Sequence, residues 1–241
     1  MMKIFKFIPN TITSMNLLCG ALGVIFTVQG ALDIAFYLML GAAVCDFFDG
    51  LSARLLKAYS AVGKELDSLA DNISFGLLPA LMFHRRLVEG GMTGFITYVP
   101  LIISVFAAIR LAKFNVDERQ SENFLGLATP ACALWCGSLI YAADHGVMSF
   151  AMMLHDTYII PIASVVLALL MLSEIPMFSL KFKKGSAYNR VRICFLAMVA
   201  AFAVATAVLQ FNWAFIVFLS LTCYILFNIL LALFSLRLTR K

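Results

Sequence analysis

Residues 45–76 read CDFFDGLSARLLKAYSAVGKELDSLADNISFG and join the second and third apolar runs of the chain. Asp46 and Asp49 lie three positions apart at the start of this stretch, and Asp67 and Asp71 lie four positions apart near its end. Both spacings place the two side chains of a pair on the same face of a helix. The sequence therefore predicts two consecutive helices, each with a pair of carboxylates, joined by a short loop.

The apolar runs around this stretch have the length of membrane-spanning helices. About 20 helical residues cross a hydrocarbon core, and the alternating polarity of barrel strands is absent here. The chain is 63% hydrophobic and only 13% charged, far from a soluble average of about 25% charged residues. We therefore predict an all-α polytopic membrane protein with about eight transmembrane helices. The predicted spans are 12–29, 33–48, 66–83, 95–109, 127–143, 157–172, 191–209 and 213–236.

The start of the chain, MMKIFKFIPN, differs from the spans that follow. Lys3 and Lys6 alternate with apolar residues in this segment, which is typical of a helix lying at the membrane surface. We predict a short N-terminal interfacial helix over residues 1–10 that ends at Pro9. No repeat or linker divides the rest of the chain, so residues 1–241 are expected to form a single membrane domain.

The positive charges predict the orientation of the chain. The net charge of +5 alone could suit a nucleic-acid partner. With eight spans, however, 16 of the 18 Lys and Arg residues lie on the same side of the membrane as the N-terminus, and only Arg85 and Arg86 lie on the other side. Lys and Arg concentrate in cytoplasmic loops. We therefore expect an integral protein of the cell (inner) membrane, with both termini and the junction of the aspartate-bearing helices in the cytoplasm, and no nucleic-acid partner.

The four aspartates of the junction need a compensating positive charge. A carboxylate at the bilayer centre costs about 2.5–3.5 kcal/mol on insertion scales, and less near the interface. Arg54, Lys57 and Lys64 are too few and too close to the surface to neutralise four carboxylates. Oxygen ligands without His or Cys suit Mg²⁺ or Mn²⁺. A divalent metal site is therefore predicted; the alternative is that the aspartates cap helices or lie among lipid headgroups.

Small residues accompany the aspartates. Gly50 and Ala53 lie on the turn just after Asp49, and Gly63 precedes the third helix. Small side chains would let a ligand approach the carboxylates and the backbone closely. Each glycine taken alone is equally typical of a helix end or of close helix packing.

The spacing of these residues resembles the full signature of the CDP-alcohol phosphatidyltransferases: D-x-x-D-G-x-x-A-R from Asp46 to Arg54, eight residues, then G-x-x-x-D-x-x-x-D from Gly63 to Asp71. The resemblance implies a membrane transferase in which a CDP-linked lipid donates its phosphatidyl group to an alcohol and releases CMP. It implies two divalent metal ions, with Asp71 also serving as the general base. The implied metal ligands are Asp46, Asp49, Asp67 and Asp71, and the implied CDP-diacylglycerol-binding residues include Gly50, Ala53, Arg54 and Gly63.

Two of the donor-site assignments have alternatives. Arg54 is expected to contact the nucleotide or its phosphate, but it also fits a positively charged membrane anchor. Asn16 lies in PNTITSMNLLCG, which resembles the family's opening helix, and a polar side chain within an apolar run needs a partner. We place Asn16 at the CDP-diacylglycerol site, with a hydrogen bond between helices as the alternative.

Two further segments bear on the acceptor alcohol. AAIRLAKFNVDE, residues 107–118, and FLGLATPACA, residues 124–133, resemble the branch of the family that uses serine. Ala128 stands where that branch usually has a second proline. The residues predicted to hold the serine carboxylate or the donor phosphate are Arg110, Lys113 and Asn115. The alternative for the two cations is that they are ordinary flanking charges.

The resemblance thus implies CDP-diacylglycerol and L-serine as substrates, a homodimer, a catalytic six-helix core over 11–176 and two additional helices over 190–237. An alternative within the family is a glycerol phosphate or inositol phosphate acceptor. An alternative of another class is a divalent-cation transporter, because carboxylates within a membrane also mark ion pathways. Such a pathway would continue across the membrane, where the outer half offers only four acidic residues at loops: Asp33, Glu89, Asp144 and Asp156.

Overall fold

The computed structural model describes residues 7–116, 124–146, 158–177, 189–208 and 212–238. Within these ranges the protein is almost entirely helical, which confirms the predicted all-α class. A π-helix, Asn72–Leu77, links α3 to α4, and a 3₁₀ segment, Phe95–Leu101, leads into α5. The α-helices are α1 Phe7–Val28, α2 Leu32–Leu55, α3 Ala61–Asp71, α4 Leu78–Glu89, α5 Ile102–Val116, α6 Thr129–Asp144, α7 Ile159–Leu172, α8 Asn189–Val208 and α9 Trp213–Leu238.

Four helices in the described part of the chain are long and apolar enough to cross a membrane. They are Phe7–Val28, Leu32–Leu55, Phe95–Val116 and Trp213–Leu233. Two shorter apolar helices, Ile159–Leu172 and Phe195–Val208, do not reach that length. The protein is therefore a mostly helical membrane protein in which length and composition identify four candidate spans.

Two predicted boundaries differ from the structure. The apolar run of the second span ends at residue 48, but α2 continues to Leu55, and the cationic Arg54 lies in its last turn, where it complements the helix dipole. At the N-terminus, α1 begins at Phe7 and continues through Pro9. Proline is tolerated in the first turn because its missing N–H would have no helical partner there. The prediction that Pro9 ends a helix is therefore wrong, and residues 1–6 lie outside the described part.

Helix α1 packs closely on the segment that follows the second pair of aspartates. A Cβ atom added at Gly20 would clash with the side chain of Ser74 in the π-helix, and one at Gly23 would lie 2.6 Å from Leu78 Cδ2. Small residues of this kind allow helices in membranes to approach closely. The two glycines therefore fix how deeply α1 lies against the π-helix and the start of α4.

The segment before α6 is held in place by the segment after α7. Strand β1, Phe124–Leu125, pairs antiparallel with β2, Pro176–Met177. Gly126 follows with φ +73°, and a Cβ atom there would lie 2.6 Å from the Met171 carbonyl oxygen. The backbone entering α6 is thereby anchored against the end of α7.

The end of the bundle remote from the four aspartates has its own charged groups. Asp33 begins α2, whereas Asp49 lies near its other end, and Arg86 and Asp144 lie close to the ends of α4 and α6. The contacts are Arg86 Nη2 to Asp144 Oδ1 at 2.7 Å, Arg85 Nε to Glu89 Oε1 at 2.6 Å, and His145 Nε2 to Asp33 Oδ2 at 3.3 Å. Three acidic residues of the predicted outer half thus have basic partners.

Candidate active site

Three of the four predicted aspartates converge. Asp46 and Asp49 on α2 and Asp67 on α3 each offer a carboxylate oxygen, and these oxygens lie within 4.8 Å of one another. The chain turns back between the helices over residues 56–60. Ser60 ends this turn as the N-cap of α3, because its Oγ accepts a hydrogen bond of 3.0 Å from the Gly63 N–H. We call these three carboxylates the aspartate cluster.

The aspartate cluster has the properties of a divalent cation site. Oδ1 of Asp67 is buried and has no hydrogen-bond partner among the described residues. Within the same residues, no Lys or Arg side chain forms an ion pair with the cluster. Asp49 is buried and Asp46 and Asp67 are partly buried. Carboxylates removed from water without a counterion are costly, and an all-oxygen donor set suits Mg²⁺ or Mn²⁺. The residues present therefore fit a divalent cation of this kind.

Asp71 is not one of the three clustered carboxylates. It lies one helical turn beyond Asp67, is 8% exposed, and is not part of the group of converging oxygens. Its Oδ1 accepts a hydrogen bond of 3.1 Å from Asn16 Nδ2. The structure thus divides the four predicted metal ligands into three clustered carboxylates and one deeper carboxylate with a neutral partner.

Helix α1 also contacts the cluster, through a residue that the sequence analysis did not single out. Thr13 Oγ1 lies 2.7 Å from Asp49 Oδ2 and 3.0 Å from the Pro9 carbonyl oxygen. Thr13 and Asn16 are three positions apart and share a face of α1. That spacing within the opening helix is the signal that could have identified Thr13.

The aspartates line one large cavity of about 960 Å³, near the upper end of the usual range for ligand pockets. Side chains from α1, α2, α3, α5 and the start of α6 form its wall. Among the predicted site residues, the wall includes Asp46, Asp49, Gly50, Ala53, Arg54, Gly63, Asp67, Asp71, Arg110 and Asn115. The remaining two, Asn16 and Lys113, are not part of it.

The small residues have different environments. A Cβ atom at Gly50 would meet only the distal atoms of Arg54, at 3.9 Å, so the space beside Gly50 is open. Arg54 is exposed at the rim and its Nε donates to the Gly50 carbonyl oxygen at 2.9 Å. The prediction that a ligand can approach here agrees with this geometry.

Gly63 is a correction to the sequence analysis. It does not precede the third helix but lies in the first turn of α3. A Cβ atom there would lie 2.8 Å from Asn10 Oδ1 and 2.9 Å from Ser60 Oγ. Gly63 therefore packs closely against these two side chains and also lines the cavity.

Arg110 is the buried cation of the cavity wall. It is 8% exposed, its Nη1 donates to Thr129 Oγ1 at 3.0 Å, and its Nε has no partner among the described residues. Thr129 begins α6, directly after the backbone anchored by the β1–β2 pair. The guanidinium is therefore held at one edge while further N–H donors remain for a ligand.

The other two predicted acceptor residues separate. Asn115 lines the cavity and connects α5 to α3. Its side-chain Nδ2 donates to Ser68 Oγ at 2.9 Å, and its backbone carbonyl oxygen accepts from Lys64 Nζ at 2.6 Å. Lys113 is exposed and is not part of the cavity wall. The structure therefore places Asn115, but not Lys113, in the same cavity wall as Arg110.

Asn16 is fully buried beneath the cavity. Its contact with Asp71 is the interhelical hydrogen bond that the sequence analysis gave as the alternative to donor binding. The geometry favours that alternative over direct contact with a nucleotide.

The arrangement defines a class of protein. A divalent cation held by clustered carboxylates would stabilise negatively charged phosphate groups, and another carboxylate nearby can accept a proton. Both open into a single cavity at one end of an apolar helix bundle, together with Arg54 and Arg110. This is the architecture of a membrane enzyme that acts on a phosphate-containing substrate.

The chain belongs to the CDP-alcohol phosphatidyltransferase family, whose model matches residues 6–169. The resemblance found in the sequence is thereby confirmed, and the protein is an enzyme of this family. The matched region contains all of the described cavity wall.

Several named relatives are similar to the chain. A CDP-diacylglycerol–serine O-phosphatidyltransferase of Mycobacterium leprae is 29% identical over 232 residues, which are 93% of this chain and 75% of the relative. One of Bacillus subtilis is 33% identical over 129 residues, 52% of this chain and 70% of the relative. An archaetidylserine synthase of Methanothermobacter thermautotrophicus is 32% identical over 167 residues, 68% of this chain and 71% of the relative.

Proposed function

We propose that this enzyme transfers the phosphatidyl group of CDP-diacylglycerol to the hydroxyl of L-serine, giving phosphatidylserine and CMP. The observation that carries the proposal is the buried Arg110 guanidinium, which lines the same cavity as Asp71 and has an unpartnered Nε within the described residues. Such a group suits the carboxylate of an amino-acid acceptor. The names of the three relatives, two serine transferases and an archaetidylserine synthase, support the same acceptor.

The donor is bound at the end of the cavity formed by α2 and α3. The pyrophosphate of the donor carries about two negative charges, which the aspartate cluster alone would repel. Asp46, Asp49 and Asp67 would hold Mg²⁺ or Mn²⁺, which would supply positive charge for the pyrophosphate and for the CMP leaving group. Arg54 at the rim contacts the nucleotide or its phosphate, beside the open space at Gly50 and Ala53.

The acceptor hydroxyl is activated by Asp71. The serine hydroxyl oxygen forms a bond to the phosphorus of the phosphatidyl group, the bond from that phosphorus to the oxygen of CMP breaks, and CMP leaves with the electron pair. Asp71 accepts the hydroxyl proton. Arg110 holds the serine carboxylate so that the hydroxyl is directed towards Asp71.

An acceptor panel tests this proposal. Purified protein is given CDP-diacylglycerol, a divalent cation and one of serine, glycerol 3-phosphate or inositol phosphate, and the lipid product and released CMP are measured. We expect phosphatidylserine with serine and no lipid product with the two phosphates. A phosphatidylglycerol phosphate or phosphatidylinositol phosphate product would show that the enzyme uses the alternative acceptor.

The transporter alternative has less support. In the described part of the chain, Asp33, Glu89 and Asp144 are in contact with basic groups at the remote end. They therefore do not continue the aspartate cluster as a row of free carboxylates. Uptake of Mn²⁺ into vesicles that contain the protein, without CMP release from CDP-diacylglycerol, would favour a transporter.

The acceptor site gives a prediction with a built-in control. A charge-assisted hydrogen bond to a carboxylate contributes about 1.5–3 kcal/mol, so Arg110→Gln should raise the KM for serine roughly 10- to 100-fold. The KM for CDP-diacylglycerol should change little. Lys113→Gln, three residues away on an exposed position, should change neither constant. A rise in the donor KM alone for Arg110→Gln would reassign this residue to the donor phosphate.

We also propose the orientation and assembly given by the sequence. The chain crosses the cell membrane with eight helical segments, with residues 11–176 as the catalytic core and residues 190–237 as two additional helices. Both termini and the cavity face the cytoplasm, and the enzyme is a homodimer. Support comes from the distribution of Lys and Arg for the orientation and from the family resemblance for the dimer.

Cysteine labelling tests the orientation. In a background without native cysteines, Tyr59→Cys lies at an exposed position in the loop between α2 and α3, and Thr93→Cys lies at an exposed position after α4. An impermeant maleimide added to intact cells should label Thr93→Cys and leave Tyr59→Cys unlabelled until the membrane is opened. The reverse pattern would place the cavity outside the cytoplasm.

A further inference from the structure

We infer that Asn16 is a positioning residue that orients the Asp71 carboxylate for proton transfer. The inference goes beyond the donor-binding role that the sequence gave to Asn16, and it rests on the proposed role of Asp71 as the base. It concerns a residue outside the signature spacing, on a helix that carries none of the four aspartates.

The contact joins two buried groups from different helices. Nδ2 of Asn16 on α1 donates to Oδ1 of Asp71 at the end of α3 over 3.1 Å. Asn16 is 0% exposed and Asp71 is 8% exposed. A hydrogen bond between groups so well shielded from water restricts the carboxylate more strongly than an exposed one would.

Asn16 is itself held by the helix that carries its partner. Ser74 Oγ in the π-helix donates to the Asn16 backbone carbonyl at 3.0 Å. One turn further along α1, Gly20 leaves the space that the Ser74 side chain occupies. The side chain and the backbone of Asn16 therefore contact residues only three positions apart, and the distance from α1 to Asp71 is fixed at two points.

The hydrogen bond gives the two carboxylate oxygens of Asp71 different roles. Oδ1 is occupied by the Asn16 amide, so the other oxygen is left for the acceptor hydroxyl in the cavity that Asp71 lines. A carboxylate with one fixed oxygen presents its free oxygen in a defined direction, which proton transfer requires. Asn16 does not line the cavity, so this effect is exerted through Asp71 and not by contact with a substrate.

The test is the Asn16→Leu variant, which keeps the approximate volume of the side chain and removes the donor. Loss of partners that orient a reactive group typically costs 10- to 100-fold, so kcat for CMP release should fall by roughly that factor. The KM for CDP-diacylglycerol, and Mn²⁺ binding measured by electron paramagnetic resonance, should stay within about twofold. Equal kcat in variant and wild type would overturn the inference, as would a parallel rise in the donor KM.

The matched control is Thr27→Val on the same helix. Thr27 is also buried, and its hydroxyl donates to the Gly23 carbonyl of its own helix at 2.8 Å. It should leave kcat unchanged. If Asn16→Leu does not insert stably in the membrane, Asn16→Ser replaces it: the shorter polar side chain cannot span the distance to Asp71, and the same loss of kcat is expected.

A double variant separates this inference from the proposed function. When Asp71→Asn already lacks the base, adding Asn16→Leu should cause no further loss of kcat. A further 10-fold loss would show that Asn16 acts independently of Asp71. If Asp71→Asn alone keeps normal turnover, the base assignment itself is wrong, whatever Asn16→Leu does.

Discussion

Asp71→Asn should lower kcat by roughly 10²- to 10⁴-fold, the usual contribution of a positioned general base. The amide that replaces the carboxylate has nearly the same shape but does not accept the acceptor's proton. Asp71 is outside the aspartate cluster, so the KM for CDP-diacylglycerol and the affinity for Mn²⁺ should change much less than kcat. Steady-state CMP release, with Mn²⁺ binding measured on the same preparation, separates these quantities.

Near-normal turnover of Asp71→Asn would exclude Asp71 as the base. A loss of Mn²⁺ binding as large as the loss of kcat would instead return Asp71 to the metal ligands, as the family resemblance implied. The two results are distinguishable because one is a rate on saturated enzyme and the other an equilibrium measured without substrate.

Asp67→Asn should produce a loss of a different kind. Removing one carboxylate from a three-carboxylate cluster lowers the affinity for the cation, so that metal and donor binding weaken together. A cation at such a site contributes several kcal/mol to stabilising the transition state, so activity at low metal concentration should fall by about 10³-fold. Part of this loss should be recovered at higher Mn²⁺, and Mn²⁺ titration by electron paramagnetic resonance should show the weaker binding directly.

Glu65→Gln is the matched control for Asp67→Asn. Glu65 lies two residues earlier on α3, is exposed, and is not part of the cavity wall. It removes the same charge from the same helix and should leave Mn²⁺ binding intact. Equal effects of the two substitutions would mean that the cluster attracts cations only through its general negative charge.

The helices and the aspartate cluster could be predicted because both depend on local spacing. Runs of apolar residues predicted the helical segments. The spacing of the aspartates placed Asp46, Asp49 and Asp67 at the junction of α2 and α3, where their carboxylates converge. The end of α2 was missed because hydropathy measures the preference of side chains for lipid. A helix is held by backbone hydrogen bonds, which polar residues also form, so α2 continues past the apolar run to Leu55.

The parts that could not be predicted depend on contacts between distant residues. Thr13 meets Asp49 across 36 positions, and Asn16 meets Asp71 across 55. Single-sequence patterns do not specify such pairs, since they arise only when helices pack. Gly63 illustrates the same limit, because its close contacts with Asn10 and Ser60 could not be read from its spacing in the signature.

The residues predicted to bind the acceptor show that a site prediction depends on the exact face of the helix on which each residue lies. Residues three apart differ by about 60° around a helix axis. That difference places Arg110 in the cavity wall and leaves Lys113 exposed, although the sequence presents both as cations at the end of one apolar run. Asn115 reaches the cavity through its bond to Ser68 on another helix.

The π-helix at Asn72–Leu77 changes the rotation about the helix axis between α3 and α4. A π-turn spans one residue more than an α-turn, and one residue corresponds to about 100° of rotation about the axis. The direction of Asp71 and the direction of Arg86, which pairs with Asp144, are therefore related through this single wide turn. The wide turn takes up one extra residue, so the α-helical residues on either side keep their own partners: Asn16 for Asp71 and Asp144 for Arg86.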